Sequence, residues 1–174
     1  MRWIAFPLLT VTGLTLMLPG IGQAQDLVWT PEATETCLAA AVSPEARDAC
    51  VGTSAGLCIN TPDGYTTVGF AACSRFEAEY WDTRLNEAYA GLMEIEQRLD
   101  AEMAQLGSAA PSVALALREM QRAWIVFRDA SCAYAASQFG TGTGSGPAAA
   151  DCVMRLTGEQ ALDLERQLAG KTAQ

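Results

Sequence analysis

The stretch "LNEAYAGLMEIEQRL", residues 85–99, decides the fold class. Leu85, Ala88, Leu92, Ile95 and Leu99 fall at alternating three- and four-residue steps, which is the spacing of one helix face, and charged residues fill much of the opposite one. Followed outward, the pattern predicts a helix over 73–106, with Leu106 a heptad beyond Leu99. Its length is about 50 Å at the rise of an α-helix. "GSAAPS", residues 107–112, breaks the pattern, and Ser112 is a candidate N-cap for a second segment. There the apolar stripe runs through Val113, Leu117, Met120, Trp124, Phe127, Ser131 and Tyr134. Two amphipathic helices joined by a short loop should meet antiparallel, each stripe forming the other's core and Trp124 buried in the seam.

The flanking segments are read as short helices. Around Ser43-Pro44, where serine caps and proline takes the first helical position, residues 37–42 and 45–55 form two pieces. "NTPDGYTTVG", residues 60–69, is turn-rich and reads as a loop. "GTGTGSGP", residues 140–147, matches neither a Walker loop nor a dinucleotide fingerprint and reads as a flexible turn. "TGEQ", residues 157–160, is spaced as a capping box for a last short helix, whose Ala161, Leu164 and Leu168 would face the hairpin. The expected architecture is all-α: a long antiparallel hairpin with short flanking helices, stapled by disulfides.

Residues 1–24 stand apart from this core. One arginine precedes an apolar run from Trp3 to Leu18, then Pro19-Gly20, and small residues end the segment at Ala24. That is the pattern of a cleaved secretory signal, and the apolar run is short for a membrane anchor. All six cysteines (Cys37, Cys50, Cys58, Cys73, Cys132 and Cys152) follow it, and the chain has no histidine. An even count in an exported chain predicts three disulfides. Of the fifteen connectivities that six cysteines allow, the sequential set 37–50, 58–73 and 132–152 is preferred. Cys37 and Cys50 lie almost symmetrically about the Ser43-Pro44 turn, as a bridge across a helical hairpin requires. The mature protein is expected to be periplasmic or secreted and soluble, with residues 25–57 an N-terminal extension carrying its own cysteine pair, 58–169 the main helical domain and 170–174 a tail.

Removing Arg2 with the signal leaves 10 basic against 20 acidic residues, a net charge of −10. Nucleic acid and anionic membranes need a basic face and are disfavoured; a cationic partner suits this chain. Without histidine the usual serine and cysteine triads are impossible. The carboxylates at Glu77, Glu79 and Asp82, and at Glu94 and Glu96, lie along one helix, where a solvated face is expected rather than a glycosidase pair across a cleft. No cofactor, metal or catalytic site is expected. On the second helix Gln121, Arg128 and Cys132 share one flank, and in an antiparallel hairpin Asn86 comes roughly level with Arg128. Arg128 is read as a clasp setting the helix register through Asp82, Asn86 or a neighbouring carbonyl, with a partner-binding patch as the alternative.

Taken together, Cys73, Asp82, Leu85-Asn86, Tyr89, Gln121, Trp124, Arg128-Asp129, Cys132, the Gly-rich loop, Cys152 and Leu156-Thr157 resemble the LprI N-terminal domain family of small exported bacterial proteins. The resemblance covers about residues 58–168. It departs at Gln160, where the family usually has arginine, and in lacking the lipoprotein cysteine; Cys37 and Cys50 lie outside it. It implies a disulfide-bonded, helical envelope protein that binds rather than catalyses. The partner it implies is a cationic lysozyme, with the loop at 60–69 a candidate for entering the substrate cleft. The alternatives are an interaction or scaffold module of the envelope and, less favoured, a cell-wall-active enzyme.

Overall fold

A computed structural model describes residues 27–173, so the expected signal segment and its cleavage point lie outside the described residues. Among the described residues there are six helices and no strand: α1 (Glu32–Ala40), α2 (Pro44–Asp48), α3 (Thr53–Ile59), α4 (Thr67–Gln105), α5 (Val113–Ser137) and α6 (Ser145–Thr172). Helix α4 starts with its cap Thr66, whose hydroxyl accepts from the Gly69 N–H, and α5 starts at Ser112, whose hydroxyl accepts from Leu115. Ser43 caps α2 in the same way, with Pro44 in its first turn.

The three long helices form the body. Helix α6 lies along α4 over most of its length and runs in the same direction. Gly158 meets Trp81, Glu165 meets Arg84, Leu168 meets Gly91 and Lys171 meets Glu96 in order along the pair. Helix α5 runs opposite to both, tied to α6 by Cys132–Cys152 at one end and by a Gln160–Gln121 hydrogen bond further along. Three disulfides join neighbours in the chain: Cys37–Cys50, Cys58–Cys73 and Cys132–Cys152.

The last helix differs from the short one the sequence suggested. It spans 28 residues and begins within the glycine-rich run, because Pro147 stands in its first turn, where no backbone donor is needed. Thr157 is therefore a buried mid-helix residue, not a cap. With α6 in place, α4 and α5 are not each other's sole core. Leu85, Ala88 and Leu92 are buried as their spacing predicts, while Leu99 and Leu106 are exposed where α4 outruns the bundle. Helix α5 turns a different face inward: Ala114, Leu117, Gln121 and Cys132 are buried, and Phe127 is 59% exposed. The Cys132–Cys152 disulfide and the Gln121–Gln160 hydrogen bond to α6 hold that rotation. Trp124 is only half-buried at the core's edge; the tryptophan at the centre is Trp81, with no exposed surface.

The N-terminal pieces close one end of the bundle. The second piece expected at 45–55 is split at Gly52, whose φ of +92° favours glycine and caps α3; helix α3 then runs across residues 57 and 58. The fully buried carboxylate of Glu77, expected on a solvated face, holds this junction together. Its Oε1 accepts from Gly52 N at 2.7 Å, Thr34 Oγ1 at 3.0 Å and Trp81 Nε1 at 3.1 Å, and its Oε2 accepts from Ala55 N at 2.6 Å. A side chain on α4 thus satisfies donors at the start of α3 that no α3 carbonyl can reach.

Candidate functional site

The residues of the sequence motif divide between core and cleft. Leu85 is buried, Tyr89 is half-buried against the core, and Gln121 is buried and accepts from Gln160 at 3.1 Å. Asp82, Arg128 and Thr157 converge on a cleft of about 430 Å³ between α4, α5 and α6, together with Arg75, Glu79 and Thr83. Arg75, Glu79 and Asp82 reach it because steps of four and three residues place them on one face of α4. That spacing was the signal in the sequence that would have grouped Arg75 with the two acids.

Arg128 is not the clasp that its position suggested. Its guanidinium donates to Asp129 Oδ1 at 3.0 and 2.8 Å, the next residue along its own helix, and sits 5.1 Å from the Trp124 ring centre. Asp82 is engaged from its own helix instead, accepting from Asn86 Nδ2 at both its backbone and carboxylate oxygens. Neither interaction links α4 to α5, so the arginine stacks on aromatic surface with its head group at the cleft. The Thr157 hydroxyl, on the cleft's α6 wall, is buried without a hydrogen-bond partner. The cleft therefore offers guanidinium, carboxylate and hydroxyl groups side by side, which suits recognition of a polar partner surface.

The register is fixed elsewhere. Arg84 holds Glu165 through two hydrogen bonds of 2.7 and 2.9 Å, reaches Tyr80 Oη at 2.7 Å, and Arg47 joins Glu165 at 3.2 Å. Burial works to lower the Arg84 pKa, but the hydrogen bonds to Glu165 and Tyr80 outweigh it and raise it. This cluster ties α2, α4 and α6, and nothing in local spacing announced it. Arg128→Ala should accordingly shift the unfolding free energy by only about 1 kcal/mol, since its ion pair is with an exposed neighbour on its own helix and only its stacking on Trp124 is lost. Trp124→Ala should cost about 1–2 kcal/mol, in keeping with partial burial. Urea titrations of the two variants check both values.

The family model of the lysozyme inhibitor LprI matches residues 58–164, from the Cys58–Cys73 disulfide through the cleft to Leu164 on α6. The chain belongs to the LprI family. In this LprI-family chain, α1, α2 and the Cys37–Cys50 bridge lie outside the matched region. A curated relative, an uncharacterized 17.7 kDa protein in the puhA 5'region of Rhodobacter capsulatus, is 28% identical over 172 residues, covering 98% of this chain and 100% of that protein. No solved structure matches the chain. Of the segment 60–69 expected as a loop, only residues 60–66 are one, because Thr66 caps α4 and residues 67–69 lie in its first turn. The shorter loop, bracketed by Cys58–Cys73, is compact: Thr61 accepts from Gly64 N, and Tyr65 stands exposed.

Proposed function

We propose that the protein is an exported envelope protein that inhibits a cationic lysozyme by binding it. The observation that carries the reading is membership of the lysozyme inhibitor family across 58–164. The acidic balance of the chain supports it, since opposite charge accelerates encounter with a basic enzyme. Three disulfides fit an oxidising compartment, and among the described residues no helix is long and apolar enough to cross a membrane. Inhibition by occupancy needs no chemistry from the inhibitor.

Protein starting at Gln25, titrated into a lysozyme lysis assay, should slow lysis in a dose-dependent way and less effectively as salt rises, because exposed charges are screened. Undiminished lysis at a large molar excess of the protein would remove lysozyme from the reading and leave an envelope interaction module. Peptidoglycan turnover by the protein alone would replace both with an enzyme.

A further inference from the structure

Where α4 outruns α6, it carries apolar side chains into solvent: Leu99 and Met103 are part-exposed and Leu106 is 80% exposed, with Val113 part-exposed across the turn. Leu99, Met103 and Val113 line a hollow of about 530 Å³, and Val113 also lines a second hollow of about 390 Å³. Glu96 lines both. Its residue is 5% exposed; Oε1 accepts from Lys171 Nζ at 2.9 Å, and Oε2 is buried with no hydrogen-bond partner. A buried carboxylate oxygen without a donor is costly, and the donors that relieve it best are cationic.

The surroundings bias the occupant's charge. Residues 94–102 carry Glu94, Glu96, Asp100 and Glu102 against Arg98. Asp100 is committed to the turn, accepting from Ser112 Oγ at 2.6 Å, Val113 N at 2.9 Å and Ala114 N at 3.0 Å. The Ser112 hydrogen bond, then that from Val113, holds its carboxyl below the ordinary value against a small opposing effect of burial. The turn that frames the hollow is thus itself fixed by an anion.

We propose that this helical tip is the docking surface for a cationic protein, and that Glu96 receives one of that partner's lysine or arginine side chains. Such a side chain is amphipathic: its aliphatic stem covers Leu99, Met103 and Val113 while its head group reaches Oε2. Methionine adapts to the stem's path. A second copy of this acidic chain brings like charge and is the poorer occupant. The proposal rests on the lysozyme reading for its partner, but the chemistry of the surface does not.

Two measurements on the Gln25–Gln174 protein test it. In the first, affinity for hen lysozyme is measured for the wild type, Glu96→Gln, Met103→Ser and, as a control away from both the tip and the motif cleft, Glu35→Gln on α1. Glu96→Gln and Met103→Ser should each weaken binding at least tenfold, and Glu35→Gln less than twofold. In the second, an octa-arginine peptide is titrated while backbone amide resonances are followed. Shifts should centre on Glu96, Leu99, Met103 and Val113 and largely vanish in Glu96→Gln. Lysozyme binding that survives both tip substitutions within twofold overturns the surface and keeps the function. Absent lysozyme binding with tip-centred, Glu96-dependent peptide shifts overturns the function and keeps the surface. Peptide shifts spread over the molecule's acids, or unchanged in Glu96→Gln, overturn the surface whatever lysozyme does. Met103 is part-exposed, so its variant stays informative even if Glu96→Gln disturbs Lys171 and fails to fold.

Discussion

Trp81→Ala should lower the unfolding free energy by about 3–5 kcal/mol, the cost of deleting a large aromatic from a fully packed site. Trp81 has no exposed surface, meets Tyr80 edge-on at 5.1 Å, and lies 5.3 Å from the Arg84 guanidinium. A Cβ at Gly158 would stand 3.2 Å from its ring and 2.6 Å from Val51, so α6 touches this tryptophan through bare backbone. Such a wall cannot refill the space, because no side chain is there to swing inward. Urea titration against the Trp124→Ala variant makes the comparison internal: two tryptophans, one at the centre and one at the edge. A Trp81 loss no larger than that of Trp124 would put the centre of the core elsewhere.

Glu77→Ala should cost a comparable amount, about 3–5 kcal/mol, since it strands several donors in a dry junction. Thr34, Gly52, Ala55 and Trp81 all donate to that one carboxylate. Glu77→Gln should do less damage, about 1–3 kcal/mol, because an amide oxygen can keep the donors at Oε1 while its NH2 opposes the Ala55 N–H. The order alanine worse than glutamine, in the same urea titration, is the expected result. Equal losses for the two would mean that packing volume, not hydrogen bonding, holds the junction.

Much of the fold was legible because its signals were local. Ser43-Pro44 and Ser112 mark helix starts by capping chemistry that needs no tertiary context, and the 85–92 part of the α4 stripe is buried as its periodicity required. The cysteines, three neighbouring pairs, bridge the turns between successive elements. What stayed hidden depends on a third helix. The run "GTGTGSGP" suppresses any local expectation of helix, yet α6 starts inside it and supplies the partner that rotates α5. Size misled on α5: Phe127 and Tyr134 are large and exposed, while Ala114 and Gln121 are inside, Gln121 bonded to Gln160 of α6. Glu77 was missed since a carboxylate reads as surface until the donors aimed at it, far away in the chain, are known. The motif cleft was half-legible: Asp82 and Arg128 were found, but their partners proved to be near neighbours on their own helices.

The three disulfides divide the molecule unevenly. Two bridges close before α4 is one-fifth complete and the third joins α5 to α6, so no covalent link other than the main chain crosses residues 106–112. A protease that cuts one peptide bond in that turn would therefore leave two fragments separable without reductant, held only by the noncovalent contacts of α5 and α6 with α4 and of α6 with the N-terminal pieces. At this one place the chain's resistance to being parted rests on the Asp100 cap rather than on sulfur.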